Sequence, residues 1–418
     1  MPTSNIRDGR PGLAAKLLVV ALGVAAGLLI FEVFLRAAGY TYPLFYEPDE
    51  SRGWALAPGV EGWYRKEGEA YVRVNGDGLR DREHAKQKRP GVVRVALLGD
   101  SYAEALQVAQ EAAFWSVAES RLRSSCGALA GREVEFVNFG VSGYGTAQEL
   151  FTLRERVWPY APDVVLLAVT TNNDLTDNTR ALKGTNEIPY FVLRGDRLVL
   201  DDSFRRDPAF RWRRSLPSRA GRWLRARLRF AQAVHEGHAA VKSALAARRE
   251  RAALARARES AAATQPAPPA EAPPPAELGT ANMVYAEPSD EVWRGAWRVT
   301  EALVATMHRE VSERGARFVV ATLSNPIQAH PDPSAREAFA RRLGVSDLFY
   351  PERRFKALGE REGFPVFNLA PDLQAYAERH KVFLHGFPPD PGNGHWNETG
   401  HRVAGHLLAE KLCQAVAP

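Results

Sequence analysis

The chain lacks the sequence patterns of two common classes of ligand site. Its glycine-rich turn at residues 140–145 has neither the spacing nor the helix-opening lysine of a phosphate-binding loop, so no nucleotide cofactor is implied. His395, His401 and His406 are six and five residues apart, whereas two imidazoles share one helix face at a spacing of four. We therefore predict neither a cofactor nor a metal site.

The only long hydrophobic run lies near the N-terminus. Residues 17–35 are apolar apart from Glu32, which is close to the roughly 20 residues that a helix needs to cross a bilayer. Basic residues precede this run and acidic residues follow it, so the positive-inside rule predicts a cytoplasmic N-terminus and an exported remainder. A cleaved signal peptide is the alternative, with small residues at 37–39 near the cut. We favour an uncleaved single-pass anchor in the inner (cytoplasmic) membrane, with the rest of the chain periplasmic or extracellular.

The rest of the chain divides by composition into a turn-rich stretch, a region of alternating strands and helices, and an insertion. Alternating strand and helix signals predict a parallel sheet covered by helices. The predicted boundaries are a cytoplasmic N-terminus at 1–16, a transmembrane anchor at 17–36, a β-rich collar at 37–90, core segments at 91–178 and 282–418, and an insertion at 179–281.

The insertion carries the basic charge of the chain. Residues 205–258 contain fifteen arginines and one lysine against three acidic residues, and the chain without them would be acidic. Aromatic residues between arginines are typical of nucleic-acid binding, but an exported segment is not expected to meet nucleic acid. The remaining interpretations are an anionic lipid surface, an acidic glycan, or a solvated arm.

A serine follows the first strand of the predicted core. Residues 95–98 are apolar and are followed by Gly99, Asp100 and Ser101. A buried strand that ends here places Ser101 in the crevice at the carboxyl edge of the sheet, where α/β proteins bind ligands. Ser101 is therefore a candidate nucleophile, and such a serine needs a base and hydrogen-bond donors for the oxyanion that forms.

Three later segments offer those groups. Gly143 lies in a glycine-rich turn after the second strand, and Asn173 follows a β-branched run. His395 lies in a loop that precedes the final helix. We predict that Gly143 and Asn173 donate to the oxyanion and that His395 is the base.

These four blocks, in this order, resemble the SGNH/GDSL hydrolase superfamily in its membrane-anchored bacterial form. The resemblance implies a flavodoxin-like three-layer α/β/α fold, with Ser101 as nucleophile and as a backbone donor to the oxyanion hole beside Gly143 and Asn173. The family has an aspartate two or three residues before the histidine, but Gly392 and Asn393 stand there.

The residue that orients His395 is thus open between two alternatives. Asp390 lies five residues upstream in a proline-rich loop and could act if the loop folds back. The other alternative is a serine–histidine dyad whose imidazole is held by a backbone carbonyl.

A flavodoxin-like order also brings the first and last core helices onto one face of the sheet. Cys126 follows the first of these helices and Cys413 lies near the end of the last. An exported protein with two cysteines favours a disulfide between them. Two buried thiols are the alternative.

The resemblance implies a serine esterase or deacetylase that acts on the acyl ester of a small molecule or a cell-envelope glycan. Two alternatives stay open. One is an O-acyltransferase to a polysaccharide, which would need a multi-pass membrane partner because a single span offers no channel for an acyl donor. The other is a non-catalytic glycan-binding module.

Overall fold

A computed structural model describes residues 13–129, 131–195, 197–238, 240–242, 245, 248 and 280–416. The described residues form two compact units, one made of those within the ranges 1–44 and 219–268 and the other of those within 45–218 and 269–418. The proline-rich stretch at 265–275 of the predicted insertion lies outside the described residues.

The larger unit is built on a five-stranded parallel sheet. Its strands, in chain order, are β5 (Val92–Gly99), β6 (Glu133–Asn138), β7 (Val164–Thr170), β10 (Arg317–Leu323) and β11 (Val366–Asn368). They lie in the order β11-β10-β7-β5-β6, and all four pairings are parallel. Counted within the sheet this is the flavodoxin-like order 2-1-3-4-5, whose switch point lies between β5 and β7.

Four shorter strands precede the sheet and two lie between β7 and β10. The first four are β1 (Tyr46–Asp49), β2 (Gly53–Leu56), β3 (Glu61–Tyr64) and β4 (Ala70–Arg73), and the other two are β8 (Tyr190–Arg194) and β9 (Arg197–Asp201). They pair as three antiparallel hairpins, β1-β2, β3-β4 and β8-β9.

The helices are numbered in chain order. They are α1 (Leu13–Ala37), α2 (Ser101–Glu104), α3 (Phe114–Ser125), α4 (Thr146–Thr152), α5 (Thr171–Asp177), α6 (Arg180–Lys183), α7 (Pro208–Arg214), α8 (Leu216–Arg227), α9 (Glu291–Glu313), α10 (Pro333–Leu343), α11 (Tyr350–Glu362), α12 (Ala370–His380) and α13 (Glu398–Val416).

Alternate side chains of the buried strands point to opposite faces, and each face has its own core. Leu97 of β5 packs in one cluster with residues of α3, α12 and α13. Its neighbours Ala96 and Leu98 pack in the other cluster with residues of α4, α9 and α11. The predicted three-layer α/β/α fold with a central parallel sheet is thus confirmed.

A disulfide joins Cys126 to Cys413, as predicted, with 5.5 Å between the two Cα atoms. Cys126 caps the C-terminal end of α3 and Cys413 lies in the last turns of α13. The first and last core helices are therefore crosslinked on one face of the sheet.

The insertion begins later in the structure than the composition indicates. Residues 179–218 belong to the larger unit, and Phe191 of β8 is buried in the core cluster beside α9. Sequence composition placed this hairpin outside the core because arginines dominate the stretch that follows it.

In the smaller unit, α1 is long and apolar enough to cross a membrane, with a mean hydropathy of 2.6. Near its C-terminal end, Arg36 Nε donates to Glu32 Oε1 at 2.7 Å. This is the pairing that a spacing of four on one helix face predicts.

Candidate active site

Ser101 stands where β5 ends, at the switch point of the sheet. Asp100 caps the short helix α2, its carboxylate accepting the Tyr102 N–H at 3.0 Å. This cap turns the chain sharply after Gly99, where an added Cβ would lie 2.9 Å from the Ala103 side chain. The turn leaves the Ser101 hydroxyl in the crevice at the carboxyl edge.

His395 meets this serine from the other end of the chain. The Ser101 hydroxyl donates to His395 Nε2 with 2.8 Å between the heavy atoms. The histidine loop is held by backbone hydrogen bonds, since Gly386 N–H donates to the His395 carbonyl at 2.8 Å. This is the distance at which a base can take the proton of a serine hydroxyl.

The carboxylate that contacts His395 is Glu67, in the loop between β3 and β4 of the collar. Its Oε2 accepts from His395 Nδ1 at 2.5 Å, and its Oε1 accepts from the His395 backbone N–H at 2.6 Å. A carboxylate only accepts, so the imidazole carries its proton on Nδ1 and presents Nε2 as an acceptor to Ser101. Glu67 therefore fixes the tautomer that a general base requires.

Electrostatics agree with an ionised Glu67. Burial alone would raise the pKa of the Glu67 carboxyl, but its hydrogen bonds and electrostatic interaction with His395 outweigh burial and lower the pKa below its usual value. Glu67 is therefore a carboxylate at neutral pH.

Asp390, predicted as an alternative orienting acid, does not take that role. Its carboxylate instead accepts from the side-chain amide of Asn393 at 2.8 Å in an exposed position. The proline-rich loop turns its acid away from the imidazole, and the collar fills the place. The dyad alternative is corrected as well, because Glu67, not a backbone carbonyl, is bonded to His395 Nδ1.

Sequence reasoning missed Glu67 because it lies 328 residues from His395. The only local signal was the absence of an acid before His395, which indicates that the acid must come from elsewhere. Nothing in the collar sequence marks Glu67 among its neighbouring charged residues.

Gly143 lies in the loop after β6 with φ +78°, a conformation that favours glycine. A Cβ added there would lie 3.1 Å from Cζ2 of Trp54 in β2. The Trp54 indole N–H donates to the Ser142 carbonyl at 3.0 Å. The collar thus holds the backbone of the predicted oxyanion loop on its outer side.

A buried carboxyl holds the same loop from below. Oε2 of Glu104 accepts the Ser142 N–H at 3.0 Å, the Ser142 hydroxyl, and the Tyr46 hydroxyl at 2.8 Å. Glu104 is fully buried, and burial raises its pKa to about 7 despite these hydrogen bonds. Strand β1, helix α2 and the oxyanion loop therefore meet at one carboxyl.

Asn173 follows β7 in the first turn of α5, across the switch point from Ser101. Its Nδ2 donates to Asp100 Oδ2 at 2.9 Å. A primary amide has two donor hydrogens, so one can orient the side chain against Asp100 while the other serves a ligand.

The floor beneath Asn173 contains buried carboxyls whose pKa values are raised. Asp174 accepts from the Thr170 N–H at 2.8 Å and the Thr146 hydroxyl at 3.2 Å. Burial, with Asp100 and Asp177 nearby, raises the pKa of Asp174 well above its usual value. Burial, together with the nearby Asp174, also raises the pKa of Glu149 well above its usual value. Raised pKa values favour the neutral form of these carboxyls, which limits negative charge near the predicted oxyanion site.

Trp396 and Tyr102 both pack against the histidine loop, where the Tyr102 hydroxyl donates to the Gly394 carbonyl at 3.2 Å. Trp396 is fully buried, and its indole N–H donates to Ser324 Oγ at 2.9 Å. Ser324 contacts His385 Nε2 at 3.0 Å, and His385 Nδ1 contacts the Gly394 carbonyl at 3.0 Å. This network supports the backbone that carries His395.

No family model and no curated protein matches the chain. Among solved structures it is similar to an acetyl xylan esterase, AlAXEase, at 12% identity over 77% of this chain and 99% of that chain, with a TM-score of 0.37. It is also similar to a lipase/acylhydrolase from Enterococcus faecalis, at 10% identity over 77% and 96% with a TM-score of 0.34. A mutant of the Geobacillus acetyl-xylooligosaccharide esterase Axe2 is similar at 11% identity over 77% and 94%, with a TM-score of 0.36. The chemistry depends on the side chains of the site.

Proposed function

We propose that this protein is a serine ester hydrolase in which Ser101, His395 and Glu67 form the catalytic triad. The observation that carries the proposal is the continuous line of hydrogen bonds from Ser101 Oγ through the His395 imidazole to the Glu67 carboxylate, at 2.8 and 2.5 Å. A line of this kind is recognised by geometry and role, not by the order of its members in the chain.

The reaction follows from the roles of these atoms. Ser101 Oγ attacks the acyl carbon while His395 Nε2 takes its proton, and Glu67 stabilises the imidazolium that forms. The tetrahedral oxyanion accepts hydrogen bonds from the backbone N–H groups of Ser101 and Gly143 and from the Asn173 amide. Its collapse breaks the ester bond, and His395 returns the proton to the leaving alcohol. Water, activated by the same imidazole, then releases the acid from the acyl-serine.

A non-catalytic binding module is disfavoured by the same geometry. The missing aspartate before His395 was the sequence feature that favoured it. Glu67 occupies the position that the aspartate would take against the imidazole, so the catalytic set is complete without it.

The substrate that we propose is an acylated hydroxyl-rich molecule such as a cell-envelope glycan. A groove of about 690 Å³ borders Glu67 and Gly394 and is lined by the collar loop 65–69 and the loop 387–394. Its lining combines charged and amide side chains with three apolar residues, and these are Arg65, Lys66, Glu69, Asp390 and Asn393 together with Phe387, Pro388 and Pro389. The polar side chains of this lining suit the hydroxyl groups of such an alcohol, and the apolar ones suit the face of a sugar ring.

We further propose that α1 anchors the protein in the inner membrane, with the catalytic unit on the outer side. The length and hydropathy of α1 and the charges that flank it support this arrangement. The disulfide between Cys126 and Cys413 favours an oxidising compartment outside the cytoplasm.

The test is turnover of p-nitrophenyl acetate by the full chain in detergent, with intact-mass detection of an acyl adduct. We expect wild-type turnover and loss of it in Ser101→Ala and His395→Ala, by at least about 10³-fold. The matched control is Ser124→Ala. It removes an exposed serine hydroxyl in the last turn of α3 and should retain full activity.

Other outcomes identify the alternatives. An acyl adduct on Ser101 that persists until a sugar acceptor is added would favour an O-acyltransferase, with a multi-pass partner as the source of acyl groups. Absence of both turnover and adduct in a folded protein would contradict the proposal and favour a glycan-binding module.

A further inference from the structure

The basic part of the insertion is attached to the outer end of α1. Arg36 Nη2 donates to the Arg227 carbonyl at 2.7 Å, and the Phe230 N–H donates to Glu32 Oε2 at 2.9 Å. The Tyr42 N–H donates to the Gln232 side chain at 2.8 Å. All three contacts lie within the smaller unit. These hydrogen bonds fix residues 227–232 beside the last turns of α1 and the residues that follow α1.

This attachment decides where the insertion lies if α1 spans the membrane, and the inference therefore rests on the proposed anchor. A span that leaves the hydrocarbon near residue 37 puts residues 227–232 at the boundary between lipid and water. The attachment also explains why the apolar helix can contain an acidic residue. Glu32 is only 7% exposed, and its carboxylate accepts hydrogen bonds from Arg36 and from the Phe230 N–H.

Apolar side chains of this segment are exposed in the structure. Trp223 is 54% exposed and Leu224 is 44% exposed in α8. Val234, Val241 and Leu245 follow in helical conformation and are 67%, 60% and 50% exposed. Their spacings of seven and four place them on one helix face. Exposed apolar residues in one short segment are typical of a surface that another phase or molecule covers.

The same segment is strongly basic. Residues 219–245 contain five arginines and one lysine against one glutamate, a formal charge of +5. The Arg227 guanidinium lies over the Trp223 ring, 4.5 Å from its centroid, so charge and aromatic surface are presented together. Each basic residue near an anionic bilayer contributes roughly 1 kcal/mol of attraction.

We propose that residues 219–238 and 240–242 together with Leu245, called here the basic segment, lie along the outer face of the membrane and bind anionic phospholipid headgroups. The arginines contact the phosphates. Trp223 and Leu224 enter the boundary between headgroups and acyl chains, as does the exposed helix face that carries Val234, Val241 and Leu245. An acidic glycan would satisfy the arginines but leave the apolar side chains in water. The bilayer satisfies both, and the bonds to α1 already hold the segment beside it.

The experiment uses the full chain reconstituted in vesicles of phosphatidylcholine, with or without phosphatidylglycerol, in which a fraction of the lipid is brominated. The emission of Trp223 is taken as the difference between wild type and Trp223→Phe. Since the apolar face of such helices lies about 5–10 Å into the boundary, we expect quenching of about half of this emission in anionic vesicles. At 1 M salt, where the screening length is about 3 Å, the quenching should diminish.

The charge contribution is tested with Arg219→Gln/Arg225→Gln, which should reduce quenching in anionic vesicles only. The matched control is Arg341→Gln on α10, a 70% exposed side chain in the larger unit, which should leave quenching unchanged. Equal quenching in neutral and anionic vesicles would overturn the role of the headgroup charge.

Two further outcomes separate this proposal from the others. If the full chain is released from vesicles by alkaline carbonate, the anchor itself is wrong. If the chain stays anchored but Trp223 is not quenched, the anchor stands and the basic segment does not bind lipid. A shift of Trp223 emission with soluble alginate and none with vesicles would assign the segment to an acidic glycan and refute the lipid proposal. Esterase activity in detergent is independent of all these outcomes.

Discussion

Glu67 provides the sharpest test of the proposed triad, because its carboxylate accepts two N–H groups of the same residue. In Glu67→Gln, one side-chain atom becomes an NH2 group. If that group faces the His395 backbone N–H, two donors oppose each other. If it faces Nδ1, it donates to the ring, moves the ring proton to Nε2 and removes the acceptor that Ser101 needs. Either orientation damages the base.

The size of the effect follows from the exposure of the pair. Removing the acid of a fully buried triad costs about 10⁴ in kcat. The side chains of His395 and Glu67 are 25% and 26% exposed, so water can replace part of the lost stabilisation. We expect Glu67→Gln to lower kcat for p-nitrophenyl acetate by about 10² to 10³, equivalent to about 3 to 4 kcal/mol of transition-state stabilisation.

The matched control is Asp390→Asn. Asp390 contacts Asn393 and not the imidazole, and the aryl leaving group of p-nitrophenyl acetate has no sugar hydroxyls for the groove to bind, so loss of Asp390 should change kcat for this substrate by less than about twofold. Circular dichroism would establish that both variants fold. A Glu67→Gln enzyme within about threefold of wild type, together with a large loss in Asp390→Asn, would refute the assignment of Glu67.

Three further predictions concern the support of the site. Gly143→Ala adds a side chain that points toward Trp54 at a residue of positive φ, and it should lower kcat about 10-fold or more with KM little changed. The control Gly315→Ala, at φ +74° in open space, should keep wild-type kinetics. Equal losses of kcat in the two variants would contradict a local effect on the oxyanion loop. The pKa of Glu104 is raised from 4.5 to about 7, so the folded state keeps this proton to a higher pH than the unfolded state does. The free energy of unfolding should therefore fall by roughly 3 kcal/mol as the pH rises from 4.5 to 7. Urea titrations at pH 5 and pH 8 should show this loss reduced in Glu104→Gln, and an identical pH dependence in both proteins would exclude Glu104 as its source. Cys126→Ser removes a crosslink between residues 287 positions apart. In the chain-entropy model this should lower the free energy of unfolding by about 5 kcal/mol. An unchanged urea midpoint would contradict a stabilising role of the disulfide.

The sequence by itself determined the elements that depend on local pattern. The strand before Ser101, the turn at Gly143, the strand before Asn173 and the helix after His395 all lie where the apolar periodicity places them. A fully buried parallel strand is a continuous apolar run, so its end is visible in the sequence. The disulfide was expected from the flavodoxin-like order that the family resemblance implies, because that order places the first and last helices on one face of the sheet.

Tertiary structure alone decided which acid completes the site. Glu67 has no local signature, and its role exists only because the collar packs over the crevice and places its loop against His395. The same holds for Glu104, whose raised pKa and contacts with Tyr46 and Ser142 arise from burial among three segments distant in sequence. Periodicity and motif spacing report on neighbours along the chain, whereas a hydrogen bond between residues 328 positions apart depends on how separate elements pack.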